Sequence, residues 1–100
     1  MNLGEIIKAR RTEDKISLKQ MSNYLGISES MLSRIENGER RFSEENLSKV
    51  SKYLKISERE IKVYWILDDI KTKFSNNSNF PEAIKRLNNE YNKNNWENKQ

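Results

Sequence analysis

The chain has 100 residues, of which 34% are hydrophobic and 34% are charged, and its formal net charge is +4. This length allows one domain with a small core and leaves no room for a second sizeable core. Cysteine and histidine are both absent, which excludes a disulfide framework, a zinc site and the commonest general base. We therefore expect no metal, no cofactor and no enzyme activity. Because no apolar run is long enough to span a membrane and no signal-peptide pattern opens the chain, we expect a cytoplasmic protein.

The apolar residues of segment 2–13 recur at helical spacing and predict helix 1. Further along the chain, four serines each follow an apolar residue and precede another one by four positions. A serine in this position can cap a helix N-terminus, while the two apolar residues close as a hydrophobic staple. The predicted starts of helices 2 to 5 are therefore Ser17, Ser28, Ser43 and Ser57.

Residues 17–36 contain two short helices joined by a tight turn at Gly26. Their apolar residues have the spacing by which two crossed helices share one core. These residues are Leu18, Met21, Leu25, Ile27, Leu32 and Ile35. A polar face remains on the second helix, and such a face can bond to the edges of base pairs. The face comprises Glu29, Ser30, Ser33 and Arg34. This combination predicts a helix-turn-helix and a sequence-specific DNA-binding regulator.

Helix 5 is predicted over residues 58–74 and contains VYWIL, residues 63–67, which is apolar on every side for more than a turn. An ordinary surface helix has only one apolar stripe, so helix 5 needs a second surface to bury against. A second copy of the chain is the economical candidate. A tail that folds back and covers the helix is the alternative. The predicted dimer interface comprises Ile61, Tyr64, Trp65, Ile70 and Phe74.

From residue 75 onward asparagine dominates and apolar residues become sparse. Residues 75–79 are predicted to form a linker, and Pro81 suits the first turn of a further helix. We expect the apolar stripe of that helix to pack on helix 5 or on its dimer mate. The stripe comprises Phe80, Ile84, Leu87 and Tyr91. Residues 92–100, which include Trp96, are expected to be disordered.

Residues 3–67 resemble the phage repressor and Cro family of helix-turn-helix regulators (XRE-like). The likeness lies in residues 17–22 as helix 2, residues 26–28 as the turn, and the sequence SRIENG at residues 33–38. Residues 36–70 are more loosely similar to small controllers associated with restriction–modification loci. The resemblance implies an ion pair between helix 1 and the end of helix 3, at the positions of Arg11 and Glu36. The predicted organisation is all-α, with a five-helix repressor-like helix-turn-helix domain over residues 1–74 and a C-terminal helical extension over residues 75–100.

The resemblance also implies that helix 3 enters the major groove of double-stranded DNA with its N-terminal end toward the bases. The predicted base contacts are Glu29, Ser30, Ser33 and Arg34. For Glu29, the favourable position of an acidic side chain in a first helical turn is an equally good explanation. Phosphate contacts are expected partly from the backbone N–H groups of Ser17 and Ser28. The full predicted phosphate set is Ser17, Lys19, Ser28, Asn37, Arg40 and Arg41.

An alternative function is a partner-binding protein, for instance an antitoxin of this fold whose tail neutralises a toxin. Residues 75–100 fit this alternative because they carry aromatic side chains on a weakly folded segment. A stable protein partner that requires residues 80–96 would favour it. In the regulator hypothesis, a homodimer binds half-sites about one helical turn apart, and the tail is dispensable for DNA binding.

Overall fold

The computed structural model describes residues 1–94, which form six α-helices and no strand. The helices are α1 (Leu3–Glu13), α2 (Leu18–Leu25), α3 (Glu29–Glu36), α4 (Glu44–Leu54), α5 (Glu58–Phe74) and α6 (Phe80–Asn94). The predicted all-α class is thereby confirmed. Helix α6 continues through residues 92–94, which were expected to be disordered. Trp96 lies outside the described residues, as does the rest of the predicted tail from residue 95.

The chain divides into two compact units, Met1–Asp69 and Ile70–Gln100. The boundary falls inside α5, whereas the boundary predicted from the sequence lies at the end of that helix, after residue 74. The first unit contains α1 to α4 and the larger part of α5. The second unit contains the last turns of α5 together with α6.

Reciprocal capping boxes begin α1 and α2. The Ser17 hydroxyl accepts a hydrogen bond from the Gln20 backbone N–H at 3.0 Å, and the Gln20 side chain accepts one from the Ser17 N–H at 2.8 Å. Together these two bonds form a capping box. Asn2 and Glu5 form a second box at the start of α1, which the pattern of serines does not include.

The other three predicted serine caps differ from one another. The Ser28 hydroxyl accepts from the Met31 N–H at 3.0 Å at the start of α3, and the Ser57 hydroxyl accepts from the Glu60 N–H at 3.3 Å at the start of α5. Ser43 stands at the N-cap of α4, but its side chain makes no capping hydrogen bond. Three of the four serines therefore cap through their hydroxyl groups, and Ser43 marks the helix start without doing so.

The first unit has one hydrophobic core, to which α1 to α5 and the loop before α4 all contribute. The core consists of Leu3, Ile7, Met21, Leu25, Leu32, Ile35, Phe42, Leu47, Val50, Leu54 and Ile61. Of the apolar residues expected at the helix-turn-helix, Leu18 and Ile27 are half-buried and the other four are fully buried. The core thus fixes how α2 and α3 cross.

Helix α5 has apolar residues on two opposite sides. Ile61 is only 1% exposed, and Tyr64 and Trp65 pack against the core of the same chain. Ile61 is thus taken up by the core, Tyr64 and Trp65 are half-buried, and a dimer interface at these residues stays a prediction. A segment that is apolar all round does not indicate which side faces inward. At about 100° per residue, a different set of side chains faces away from the core. This outward face of α5 comprises Val63, Ile66 and Leu67, which are 42%, 53% and 40% exposed.

In the second unit, α6 packs beside the end of α5. The rings of Phe74 and Phe80 stack with their centroids 5.9 Å apart. An open pocket of about 410 Å³ lies between the two helices. Its lining comprises Ile70, Phe74, Asn77, Asn79, Phe80, Ala83, Ile84 and Leu87. None of residues 70–93 is fully buried, so this unit leaves apolar surface uncovered.

Candidate nucleic-acid interface

A tight turn and a capped N-terminus set the position of α3. Gly26 adopts a left-handed conformation (φ +73°) at the end of α2, as the turn requires. The Ile27 N–H then donates to the Ser22 carbonyl at 3.0 Å. Ser22 is buried, and its small side chain allows the two helices to approach. Gly38 (φ +81°) follows the end of α3 in the same left-handed region.

The inner and outer sides of α3 differ sharply in burial. Leu32, Ile35 and Glu36 are buried. The predicted base contacts lie on the other side, with Ser33 half-buried and the remaining three exposed. The exposed residues are Glu29, Ser30 and Arg34. The structure thus brings the proposed reading face to the surface of one helix, and its bonding to bases stays a prediction.

The residues predicted to contact phosphate are all exposed, but they differ in what they already bind. The Ser17 backbone N–H is occupied by the Gln20 side chain, so it cannot receive a phosphate while the capping box is closed. The phosphate contact predicted for the Ser17 N–H therefore requires this box to open, and it stays a prediction. The side chains of Lys19, Asn37 and Arg40 are exposed around the ends of α2 and α3, where a phosphate backbone can reach them.

Arg41 differs from its neighbour because it is bound to α5. Its Nη2 donates to the Trp65 carbonyl at 2.6 Å, and its Nη1 lies 3.2 Å from Asp69 Oδ1. The guanidinium also stacks over the Trp65 ring, 4.1 Å from the centroid. Arg41 is therefore already held by α5, and the phosphate contact predicted for it stays a prediction.

A buried ion pair joins α1 to the end of α3. Arg11 Nε and Nη2 donate to the two carboxylate oxygens of Glu36 at 2.7 and 3.0 Å, in a bidentate arrangement. Arg11 Nη1 also donates to the Ile16 carbonyl at 2.7 Å. The hydrogen bonding that Arg11 donates to the Glu36 carboxylate raises the pKa of Arg11, although burial acts in the opposite direction. One guanidinium therefore links α1, the segment before α2, and α3.

Gly4, which has no role in the predictions from the sequence, lies where α1 meets α3. A Cβ atom at this position would clash with the Ile35 carbonyl and lie 2.8 Å from the Glu36 carbonyl oxygen. Only a glycine lets the two backbones approach this closely. The available signal was a glycine inside an otherwise helical pattern, which often has a packing reason.

Two further contacts tie helix ends together. Asp68 on α5 accepts a hydrogen bond from the Leu3 N–H at 2.9 Å, at the start of α1. Arg10 Nη1 donates to the Leu54 carbonyl at 2.8 Å, at the end of α4. Asp68 and Asp69, which are adjacent in α5, therefore both have structural contacts, Asp68 with the Leu3 N–H and Asp69 with Arg41. Among residues 1–94, no cluster of acidic side chains is suited to holding a metal ion.

The fold and the exposed face of α3 define a DNA-binding domain of the helix-turn-helix class. Residues 7–61, more than half of the chain, match the protein-family model described as helix-turn-helix. The chain belongs to this family of Cro/C1-type DNA-binding regulators, which confirms the resemblance. Its members are regulatory and not normally enzymes. No curated protein and no solved structure matches the chain significantly. None of the described helices has the length and apolar character of a membrane span.

Proposed function

We propose that this protein is a sequence-specific transcriptional regulator that binds a palindromic operator as a homodimer. The observation that carries the proposal is the division of α3 into a side held by the core and a side of exposed polar residues. A helix of this kind fits the major groove of B-DNA, where each base pair presents a distinct pattern of donors and acceptors.

Arg34 is the strongest candidate for reading a base. It lies one turn after Ser30 on the exposed side of α3, and its guanidinium can bond to a guanine through two atoms. Glu29 can accept from a cytosine amino group, and it also suits the first turn of α3 because the N-terminal end of a helix is electropositive. Arg34 is therefore the residue on which specificity depends most.

Phosphate contacts would supply most of the affinity. The proposed set is Lys19, Ser28, Asn37 and Arg40, which are exposed around α2, α3 and the following loop. The net charge of +4 is modest, so we expect weak non-specific binding and a clear preference for the operator.

The outward face of α5 is the proposed centre of the dimer, and Ile70 and Phe74 remain part of the proposed interface. Three exposed side chains supply only part of a standard interface of about 1,600 Å². Because both half-sites must be occupied by one dimer, operator binding and dimerisation should strengthen each other.

Selection of bound sequences from a random DNA pool tests the proposal. We expect a palindrome whose half-sites are about one helical turn apart. Arg34→Ala should weaken operator binding by about 1–3 kcal/mol for each half-site and relax the preference at one position in each half-site. Arg86→Ala, which removes the same charge from α6, is the control. Failure to enrich any sequence, or an unchanged consensus for Arg34→Ala, would contradict the proposal.

Analytical ultracentrifugation tests the dimer. Ile66→Ser removes an apolar side chain that is 53% exposed, so the variant should fold normally and associate more weakly, both alone and on the operator. An unchanged association constant would exclude the outward face of α5 as the interface.

A second candidate function is binding of a protein partner through the second unit. It is favoured by the apolar side chains that this unit leaves exposed, which are Phe74, Ile84, Leu87 and Tyr91. A partner that purifies with the full chain but not with a Leu87→Asp variant, whose operator binding is unchanged, would support this candidate.

A further inference from the structure

We infer that Trp65 and Asp69 are positioning residues for DNA binding. Through Arg41 they hold the loop of residues 37–43 against α5, and so keep Arg40 in place beside the end of α3. Arg41 is then a tether rather than a phosphate contact. This inference rests on the proposed function and deepens it, because it assigns different roles to two adjacent arginines.

Contacts between the loop and α5 run in both directions. From the loop, Arg41 reaches the Trp65 carbonyl, the Trp65 ring and the Asp69 carboxylate. From α5, the Trp65 Nε1–H donates to the Phe42 carbonyl at 2.9 Å. Phe42 itself is buried in the core. The loop is therefore fixed at two consecutive residues, directly after Arg40.

The chemistry of the guanidinium suits a tether. It is planar, permanently charged and able to donate in several directions while it stacks on an aromatic ring. Arg41 uses all of these properties, and its charge is balanced by Asp69. Trp65 combines a large apolar ring with one N–H donor, so it can pack on the core and bind the loop backbone simultaneously. Arg40 is exposed and carries none of these contacts.

A tether and a phosphate contact have different salt signatures. Each phosphate neutralised by a cationic side chain releases counterions, and this steepens the fall of affinity with salt. A tether changes only how well the loop is ordered before binding, so its loss lowers affinity at every salt concentration by the same factor. The slope of log affinity against log salt therefore distinguishes the two roles.

The experiment measures binding of the full chain to the selected operator and to a mixed-sequence duplex over a series of salt concentrations. Arg41→Ala should weaken binding about threefold to tenfold with an unchanged slope. Trp65→Phe, which keeps a ring but loses the bond to the Phe42 carbonyl, should weaken it by a smaller factor, again with an unchanged slope. Arg40→Ala should reduce the slope by about one for each half-site, and so by about two for the dimer on its operator.

The Asp69→Asn substitution should change the affinity for DNA in opposite directions under the two roles of Arg41. If Arg41 is a tether, losing Asp69 loosens the loop and weakens binding relative to Glu60→Gln, which removes the same charge from an exposed site on α5. If Arg41 contacts phosphate, losing Asp69 frees the guanidinium, and binding becomes stronger and more salt-dependent. The latter outcome, or a flatter slope for Arg41→Ala, would overturn the inference.

A measurement without DNA separates this inference from the proposed function. In a Trp96→Phe background, Trp65 is the single tryptophan, and its fluorescence reports the stacked guanidinium. Arg41→Ala should change the emission and the accessibility of Trp65 to a quencher, whereas Arg40→Ala should not. Equal spectra for both variants would refute the tether. If the wild-type chain bound neither duplex, the proposed function would fail while the fluorescence comparison still decided the tether.

Discussion

Replacing Glu36 with glutamine tests whether the buried pair of Arg11 and Glu36 holds α1 against α3. The substitution keeps the size of the side chain and removes its charge. Glutamine can still accept one hydrogen bond from the guanidinium, but the second of the two bonds, at 2.7 and 3.0 Å, loses its acceptor. An unbalanced cation then remains in a site where Arg11 is buried.

The expected cost is about 3 kcal/mol, the lower end of the range for removing one partner of a buried pair, because glutamine keeps one bond. For a domain of this size, each kcal/mol shifts the melting temperature by about 4–8 °C, so the midpoint should fall by roughly 12–24 °C. Arginine titration does not complicate the measurement. The pKa of Arg11 is raised in the folded state. The stability that its positive charge contributes is therefore fully present below the ordinary arginine pKa, and it is lost only as the pH rises through the pKa of the folded state.

Thermal unfolding followed by far-ultraviolet circular dichroism at neutral pH measures the effect. Glu39→Gln, at an exposed position in the next loop, is the matched control and should change stability very little. Replacing both partners by apolar residues, Arg11→Met with Glu36→Leu, should restore much of the loss, because no buried charge is then left alone. A loss below about 1 kcal/mol for Glu36→Gln would show that the pair behaves like an exposed ion pair, and the reasoning would fail.

Three further predictions concern backbone geometry and capping. Gly4→Ala should lower the free energy of unfolding by about 1–3 kcal/mol, because its Cβ forces α1 away from the Glu36 carbonyl; an unchanged melting temperature would show that the helices can separate without cost. Lys55→Gly should raise the free energy of unfolding by about 0.5–1 kcal/mol, since residue 55 adopts a left-handed conformation (φ +56°) that glycine tolerates best. Urea unfolding measures the change, and a lower free energy of unfolding would contradict the prediction. Ser28→Ala should cost about 1 kcal/mol through the lost cap and Ser43→Ala almost nothing, so equal losses in the same assay would contradict the capping assignment.

The helix positions could be predicted from the sequence because they depend on local chemistry. Ser17, Ser28 and Ser57 cap the helices at whose starts they were predicted, and Gly26 ends α2 in the left-handed region. These features involve residues a few positions apart. Ser43 shows the limit, because the pattern is present there while the hydrogen bond is not.

Contacts between distant segments were much harder to predict. The close approach at Gly4 depends on how α1 crosses α3, and the stacking of Arg41 on Trp65 joins residues 24 positions apart. From the sequence, Arg40 and Arg41 are equally suited to contact phosphate, because the sequence alone does not show which of them contacts α5. The Arg11–Glu36 pair was implied by the family resemblance, which carries tertiary information that spacing does not.

The division of α3 has a consequence for how such a protein can change over evolutionary time. Its exposed side chains lie outside the core, so they can be exchanged while the scaffold stays intact. In the proposed regulator, new operator preferences would thus be accessible by single substitutions at Glu29, Ser30 or Arg34, without an intermediate that fails to fold. Mutations at Gly4 or Glu36 offer no such freedom, because they alter the frame that presents those side chains.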